Sequence, residues 1–139
     1  MLEAGKRILL EDETLTTKQP RFDHNSNFDL SVFGETFDYV ISRSIWTHTS
    51  KSQICKMLDE FVINSTPNGV FLTSYLKPYF KTQDYLGGEW IGRSHESDTA
   101  GVVFHDFSWI QNECNKRQLK AEELKFDYVD QIWNRISKV

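Results

Sequence analysis

The chain has 139 residues, with 20 acidic against 16 basic side chains and a net charge of −4. That size suits one domain with its own core, and charge spread without a long single-sign block excludes a nucleic-acid footprint or a patch for anionic membranes. Aromatic residues at 14% point to a packed globule rather than a disordered segment, and no apolar run approaches the ~20 residues that span a bilayer.

In chain order, MLEAGKRILLEDE predicts an amphipathic helix over Met1–Glu13, with Met1, Gly5, Ile8 and Leu9 on one face and Lys6 and Arg7 off it. No Ser, Thr, Asp or Asn precedes this pattern to cap it, and its interleaved charges do not lay out a signal peptide. TLTTKQP then reads as a loop. A short strand is expected at Arg21–His24, a polar turn at HNSN, and a stronger strand at Phe37–Ser42. Ser50 and Gln53 make a capping box for a helix whose Ile54, Met57, Leu58, Phe61 and Val62 recur at helical spacing. The helix should stop in NSTPNG, where Pro67 forbids continuation and Gly69 frees the backbone. Asn64-Ser65-Thr66 also matches a glycosylation sequon, a three-residue pattern that arises by chance and is expected to stay unmodified here.

GVFLTSYL, Gly69–Leu76, is a dense apolar strand, so strand, helix and strand form a βαβ crossover with its two strands parallel. Residues 77–103 form a long connection rich in Tyr, Gly and charge, the kind of segment that serves as a lid or substrate loop. Ser108 with Gln111 suggests a capping box opening another helix, followed by strands at Lys120–Phe126 and Gln131–Lys138, the latter carrying Ile132, Trp133 and Ile136. Cys55 and Cys114 fall mid-helix and far apart. They read as reduced, half-buried thiols of a cytoplasmic protein rather than a disulfide. His95 and His105 lack the neighbouring ligands of a metal site, so no metal is expected; Asp106, beside His105, is expected to begin the following helix. This order of elements describes an α/β domain with a mostly parallel sheet, in which ligands bind beyond the carboxyl ends of the strands. Ser42–His48 and Tyr75-Leu76-Lys77-Pro78 lie at such ends.

FDYVISRSIWTHTSKSQICKMLDEFVINSTPNGVFLTSYL resembles the second half of a class I S-adenosylmethionine-dependent methyltransferase: an FD-apolar strand, a Ser-apolar-aromatic-Thr-His turn, a helix, a Pro-x-Gly turn and an apolar strand. MLEAGKRIL is similar to the helix after the family's second strand. HDFSWIQNECNKRQL is similar to its helix before a Gly-Leu turn, with Gln118 where glycine is usual, and DQIWNRISK is similar to the closing strand. The resemblance implies a single, N-terminally truncated Rossmann-like domain, mostly parallel with an antiparallel last strand, moving a methyl group from S-adenosylmethionine to a small-molecule acceptor. The 139 residues hold no acidic-Gly-x-Gly-x-Gly turn, and Gly87-Gly88 and Gly92 follow the wrong strand to replace it. The expected consequences are poor cofactor binding by this chain and an unpaired edge on Phe37–Ser42, open to self-association or a partner. A cofactor-free interaction module using that edge is the alternative; an unrelated nucleotide-binding enzyme would need a phosphate-cradling glycine loop that is not there.

The resemblance sets Asn25 and Ser26, and Ser42, Arg43 and Ser44, beside the cofactor. Turn chemistry and plain strand termination are the alternatives for these two groups. Trp46, His48, Tyr75, Tyr79 and Trp90 are candidates for the acceptor pocket, with a packed core or loop as the competing role. His48 is the one candidate general base, against a structural role at the Ser50 helix or under Trp46. Methyl transfer needs proximity and orientation more than an acid or base, so no obligatory catalytic residue follows.

Overall fold

The first described helix of the computed structural model, α1, covers Asp12–Lys18; the structure describes residues 12–88, 101–125 and 131–139. The helical face expected at Met1, Gly5, Ile8 and Leu9 lies outside the described residues. Thr14–Lys18, expected as a loop, is helical. Threonines cost a helix only fractions of a kcal/mol each, and the stop comes from Gln19, at a left-handed φ of 46°, and Pro20 behind it. The strand expected at Arg21–His24 does not form. All four residues are exposed, and Arg21 is drawn instead to Glu35 at 2.7 Å and to the Phe33 carbonyl, so no neighbouring strand or buried face fixes an extended backbone.

Strand β1 is Phe37–Ser42, helix α2 is Lys51–Asn64 and strand β2 is Ser65–Tyr75. The capping box is present: the Gln53 amide donates to Ser50 Oγ at 3.3 Å, and Ser50 N–H donates to Gln53 Oε1 at 2.8 Å. Ile54, Met57, Leu58 and Phe61 are buried as their spacing requires. The helix runs directly into β2, four residues before the expected start. Phe37 pairs with Ser65, but the next pair is Tyr39 with Val70, so Thr66–Gly69 bulges out and the continuous ladder begins at Val70. Pro67 and Gly69 therefore interrupt the ladder rather than precede it. Gly69 must be glycine, since a Cβ would stand 2.8 Å from Ser65 Cβ and 3.1 Å from the Phe37 carbonyl oxygen.

Helix α3 is Phe107–Asn115, strand β3 Leu119–Leu124 and strand β4 Ile132–Lys138. The capping box expected from Ser108 and Gln111 is not the start of α3. Asp106, also expected to begin this helix, is the N-cap, its carboxylate accepting from the Ser108 amide at 2.7 Å, because a carboxylate both caps and meets the positive end of the helix. The Ser108 hydroxyl and amide hold the Asp106 carboxyl below its usual range.

Between α3 and β3, Gln118 sits at φ 56°, a backbone natural to the glycine the resemblance places there. Gln118→Gly should therefore stabilise the fold by about 1 kcal/mol. A urea-unfolding midpoint that stays put or falls would show that the glutamine side chain outweighs the strain.

The sheet order is β1-β2-β4-β3. β1 and β2 are parallel, with Val40 beside Phe71, while β4 runs antiparallel to both β2 and β3. Three strands thus point one way and the last one back, as expected. Phe71, Ile136 and Ala121 stand opposite one another across three strands, and the buried cluster joins this row to Ile54, Leu58 and Phe61 of α2 and Ile110 and Cys114 of α3. Both helices thus share one face. On β1 the alternate residues Tyr39 and Ile41 are 69% and 66% exposed, and among the described residues β1 has β2 as its one neighbour. Cys55 is half-buried with its thiol donating to Glu113 at 3.6 Å; Cys114 is buried, and both are free. Burial raises both thiols' pKa values, that of Cys114 to about 12. No described helix is long and apolar enough to cross a membrane.

Candidate functional site

The polar turn after β1 meets the end of β2, because parallel pairing sets Ser42 beside Thr73. Ser42 Oγ and Thr73 Oγ1 share a hydrogen bond of 2.7 Å. One step further, the Ser44 amide donates to Ser74 Oγ at 2.8 Å, Ser74 Oγ donates to Gln131 Oε1 at 2.6 Å, and Gln131 Nε2 donates to Ser44 Oγ at 2.8 Å. Three side chains thus close a ring across the carboxyl rim of β1, β2 and the entry to β4. Ser44 holds φ 58°, a left-handed conformation rare for a residue with a Cβ. Arg43 between them is exposed. Ser74 and Gln131 were not singled out in the sequence; the available signal was a hydroxyl breaking an apolar strand one residue before its end.

Behind this rim, residues 45–50 are stitched to residues 101–105. His48 Nδ1 donates to the Gly101 carbonyl at 2.6 Å, leaving Nε2 with its lone pair. The Val103 amide donates to Thr47 O at 2.8 Å, His105 Nε2 to Thr49 O at 3.0 Å, and the His105 amide to Leu76 O at 2.9 Å. Ser50, not His48, caps α2. Trp46 is fully buried and stands edge-on to Phe71 at 5.8 Å, so it is part of the core.

Two hollows flank the rim. An apolar cavity of about 210 Å³ lies between β1, α2 and the turn at Phe28 and Leu30, with Ser42 in its wall. A second, of about 250 Å³, is lined by Tyr75, Leu76, Lys77, Pro78, Tyr79, Phe104 and Ile132. Tyr75 is itself fully buried, and its hydroxyl donates to Glu123, which also accepts from Lys77 at 3.0 Å. Burial, then the Glu123 carboxylate, pushes the phenol well above its usual pKa. Tyr79 is 85% exposed. Trp90 lies outside the described residues. Asn25 spends its side chain on its own turn, accepting from the Asn27 and Asp29 amides at 2.9 and 3.2 Å and donating to the Asp29 carbonyl, while Ser26 is exposed. The structure therefore gathers Ser42 and Ser44 at one rim and Tyr75 and Tyr79 around one cavity. No cluster of three His, Cys, Asp or Glu able to hold a metal occurs among the described residues.

No protein-family model matches the chain, and no curated protein sequence matches it. Solved structures do. An O-methyltransferase from neocarzinostatin biosynthesis, in complex with S-adenosylmethionine and 2-hydroxy-5-methyl naphthoic acid, is 11% identical over 98% of this chain and 38% of its own, with a TM-score of 0.61. Magnesium protoporphyrin IX methyltransferase from Synechocystis, with bound S-adenosylhomocysteine, is 12% identical over 99% of this chain and 57% of its own, with a TM-score of 0.60. A protein titled a pericyclic reaction enzyme is 11% identical over 99% of this chain and 39% of its own, with a TM-score of 0.55. The chain spans less than two thirds of the length of each. The sheet is that of the class I S-adenosylmethionine-dependent methyltransferase fold, a family whose cofactor is seen bound in several of these structures. The pericyclic enzyme shares the architecture, so the fold by itself does not fix the reaction.

Proposed function

We propose that this chain is part of a methyltransferase domain that transfers the S-adenosylmethionine methyl group to a small-molecule acceptor. The observation that carries the reading is the β1-β2-β4-β3 sheet with polar residues at the carboxyl ends of β1 and β2, in a chain whose fold matches cofactor-bound methyltransferases over almost all of its length. In this reading the Ser42–Ser44 backbone borders the methionine end of the cofactor, and Tyr79 with the 77–103 connection covers the acceptor. His48 Nε2 is the group available to take a proton from an acceptor that must lose one. The in-line displacement on the sulfonium itself asks only for alignment and closeness of donor and acceptor.

The test is a titration of the 15N-labelled chain with S-adenosylhomocysteine. Shifts are expected at the Ser42, Arg43 and Ser44 amides with a dissociation constant weaker than ~100 µM, about −5.5 kcal/mol, since no glycine-rich turn closes around the ligand. A low-micromolar constant would refute the expectation of an incomplete cradle. Silence at those three amides at millimolar ligand would refute the assignment of this rim to the cofactor.

The exposed edge of β1 favours a second reading, an interaction module that adds a partner's strand beside Tyr39 and Ile41. Sedimentation separates the two: the module requires a stable dimer or complex, and the partial enzyme does not.

A further inference from the structure

We propose that Ser44, Ser74 and Gln131 form a binding subsite for a carbonyl or carboxylate oxygen, the group by which an acceptor is oriented at the rim. The word acceptor rests on the methyl-transfer reading; the ligand chemistry follows from the ring's own hydrogens. Ser74 Oγ accepts from the Ser44 amide and donates its single proton to Gln131 Oε1. Gln131 Nε2 spends one of its two protons on Ser44 Oγ. Ser44 Oγ is thereby an acceptor whose own proton is unspent.

Two donors are left over: the Ser44 hydroxyl and the second N–H of Gln131, carried on atoms 2.8 Å apart. Among the described residues neither has an acceptor. Ser74 is fully buried and anchors the ring, whereas Ser44 and Gln131 are half-buried and so in part reach solvent. Among the described residues, the ring presents a pair of donors with no carboxylate hydrogen-bonded to it and no base beside it. Its natural guest is an oxygen with two lone pairs. The left-handed backbone of Ser44 is held by the hydrogen bond its amide donates to Ser74, while its Oγ accepts from Gln131.

The placement agrees with the chemistry. The ring stands at the carboxyl ends of β1 and β2, where α/β sheets bind ligands, and its neighbour Ser42 belongs to the proposed cofactor border. An acceptor gripped by a carbonyl here would present an adjacent hydroxyl or ring atom to the sulfonium.

The experiment titrates the 15N-labelled chain with benzamide and benzoate, which offer such an oxygen, and with benzylamine, which does not. The first two should move the Gln131 side-chain NH2 signals and the Ser44 amide and saturate in the millimolar range; benzylamine should leave them in place. Two variants keep the backbone able to fold: Ser44→Gly, which suits the left-handed conformation and removes the hydroxyl, and Gln131→Glu, which replaces the donor by an acceptor. Each should weaken benzamide binding about tenfold or more, a difference of ~1.4 kcal/mol, while spectral dispersion elsewhere is kept. Benzylamine acting as strongly as benzamide, or variants binding benzamide unchanged, would overturn the subsite. Failure of the methyl-transfer reading is seen separately, as silence of Ser42 toward S-adenosylhomocysteine.

Discussion

Phe71→Ala is expected to cost about 3–5 kcal/mol, a large share of the roughly 5–15 kcal/mol that ordinarily holds a domain together. Phe71 is 1% exposed on the strand that pairs with both β1 and β4. Its ring lies 5.8 Å from Trp46, nearly perpendicular, and 5.6 Å from Phe61. One substitution thus removes the shared packing of the rim turn, the long helix and the middle of the sheet. Relaxation is limited because Phe71 also walls the 210 Å³ cavity, and truncation enlarges an existing void rather than letting the walls meet. Urea unfolding by tryptophan fluorescence measures the effect, with Ile63→Ala, on a side chain 70% exposed, as the control that should stay within ~0.5 kcal/mol. A Phe71→Ala loss below about 1 kcal/mol would mean that the core is assembled differently.

Stability should fall as the pH drops below about 6.5, and His105 should be responsible. Its ring is fully buried, Nε2 donates to the Thr49 carbonyl, and Nδ1 makes no hydrogen bond among the described residues. Burial is the largest influence and lowers its pKa, with Lys51 adding to it; the Thr49 carbonyl, Asp84 and the Trp46 backbone oppose burial without cancelling it. Because the folded value lies below the unfolded one, the unfolded chain binds the proton first. The stabilisation is complete above the unfolded value and is lost as pH falls through the folded one, with a slope of at most ~1.4 kcal/mol per pH unit. The carboxylates of Asp29, Asp106, Glu113 and Glu122, all lowered by hydrogen-bonded partners, add their own loss below about pH 4.5, so the two regimes separate. Thermal midpoints of the chain and of His105→Gln from pH 7.5 to 5 check this. The parent should lose stability across that range and the variant should not; parallel curves would assign the acid sensitivity elsewhere.

What could be read from the residues depended on how local the governing interaction is. The capping box of Ser50 and Gln53 and the stripe from Ile54 to Phe61 are spelled out within four residues of one another, and both formed as read. The parallel pairing of β1 and β2 followed from the helix between them. The ends were harder. Ser108 with Gln111 has the pattern of a cap, yet Asp106 two residues earlier offers a charge as well as an acceptor. At Ser65 the strand starts early because Phe37, 28 positions away, reaches past the bulge to pair with it. The Arg21–His24 strand failed because alternation in a short segment has no force without a partner strand. The rim shows the same limit. Ser42 and Ser44 were visible as a polar break after an apolar strand. Gln131 was not, since what makes it part of the site is a hydrogen bond to Ser44 across 87 positions.

The Cys55–Glu113 contact has a chemical corollary. Attack on a disulfide or a peroxide needs the thiolate, and here burial around both sulfurs, with the Glu113 carboxylate adding to it at Cys55, disfavours that form. Air oxidation has little foothold on such sulfurs. Covalent cross-linking through Cys55 or Cys114 is therefore slow.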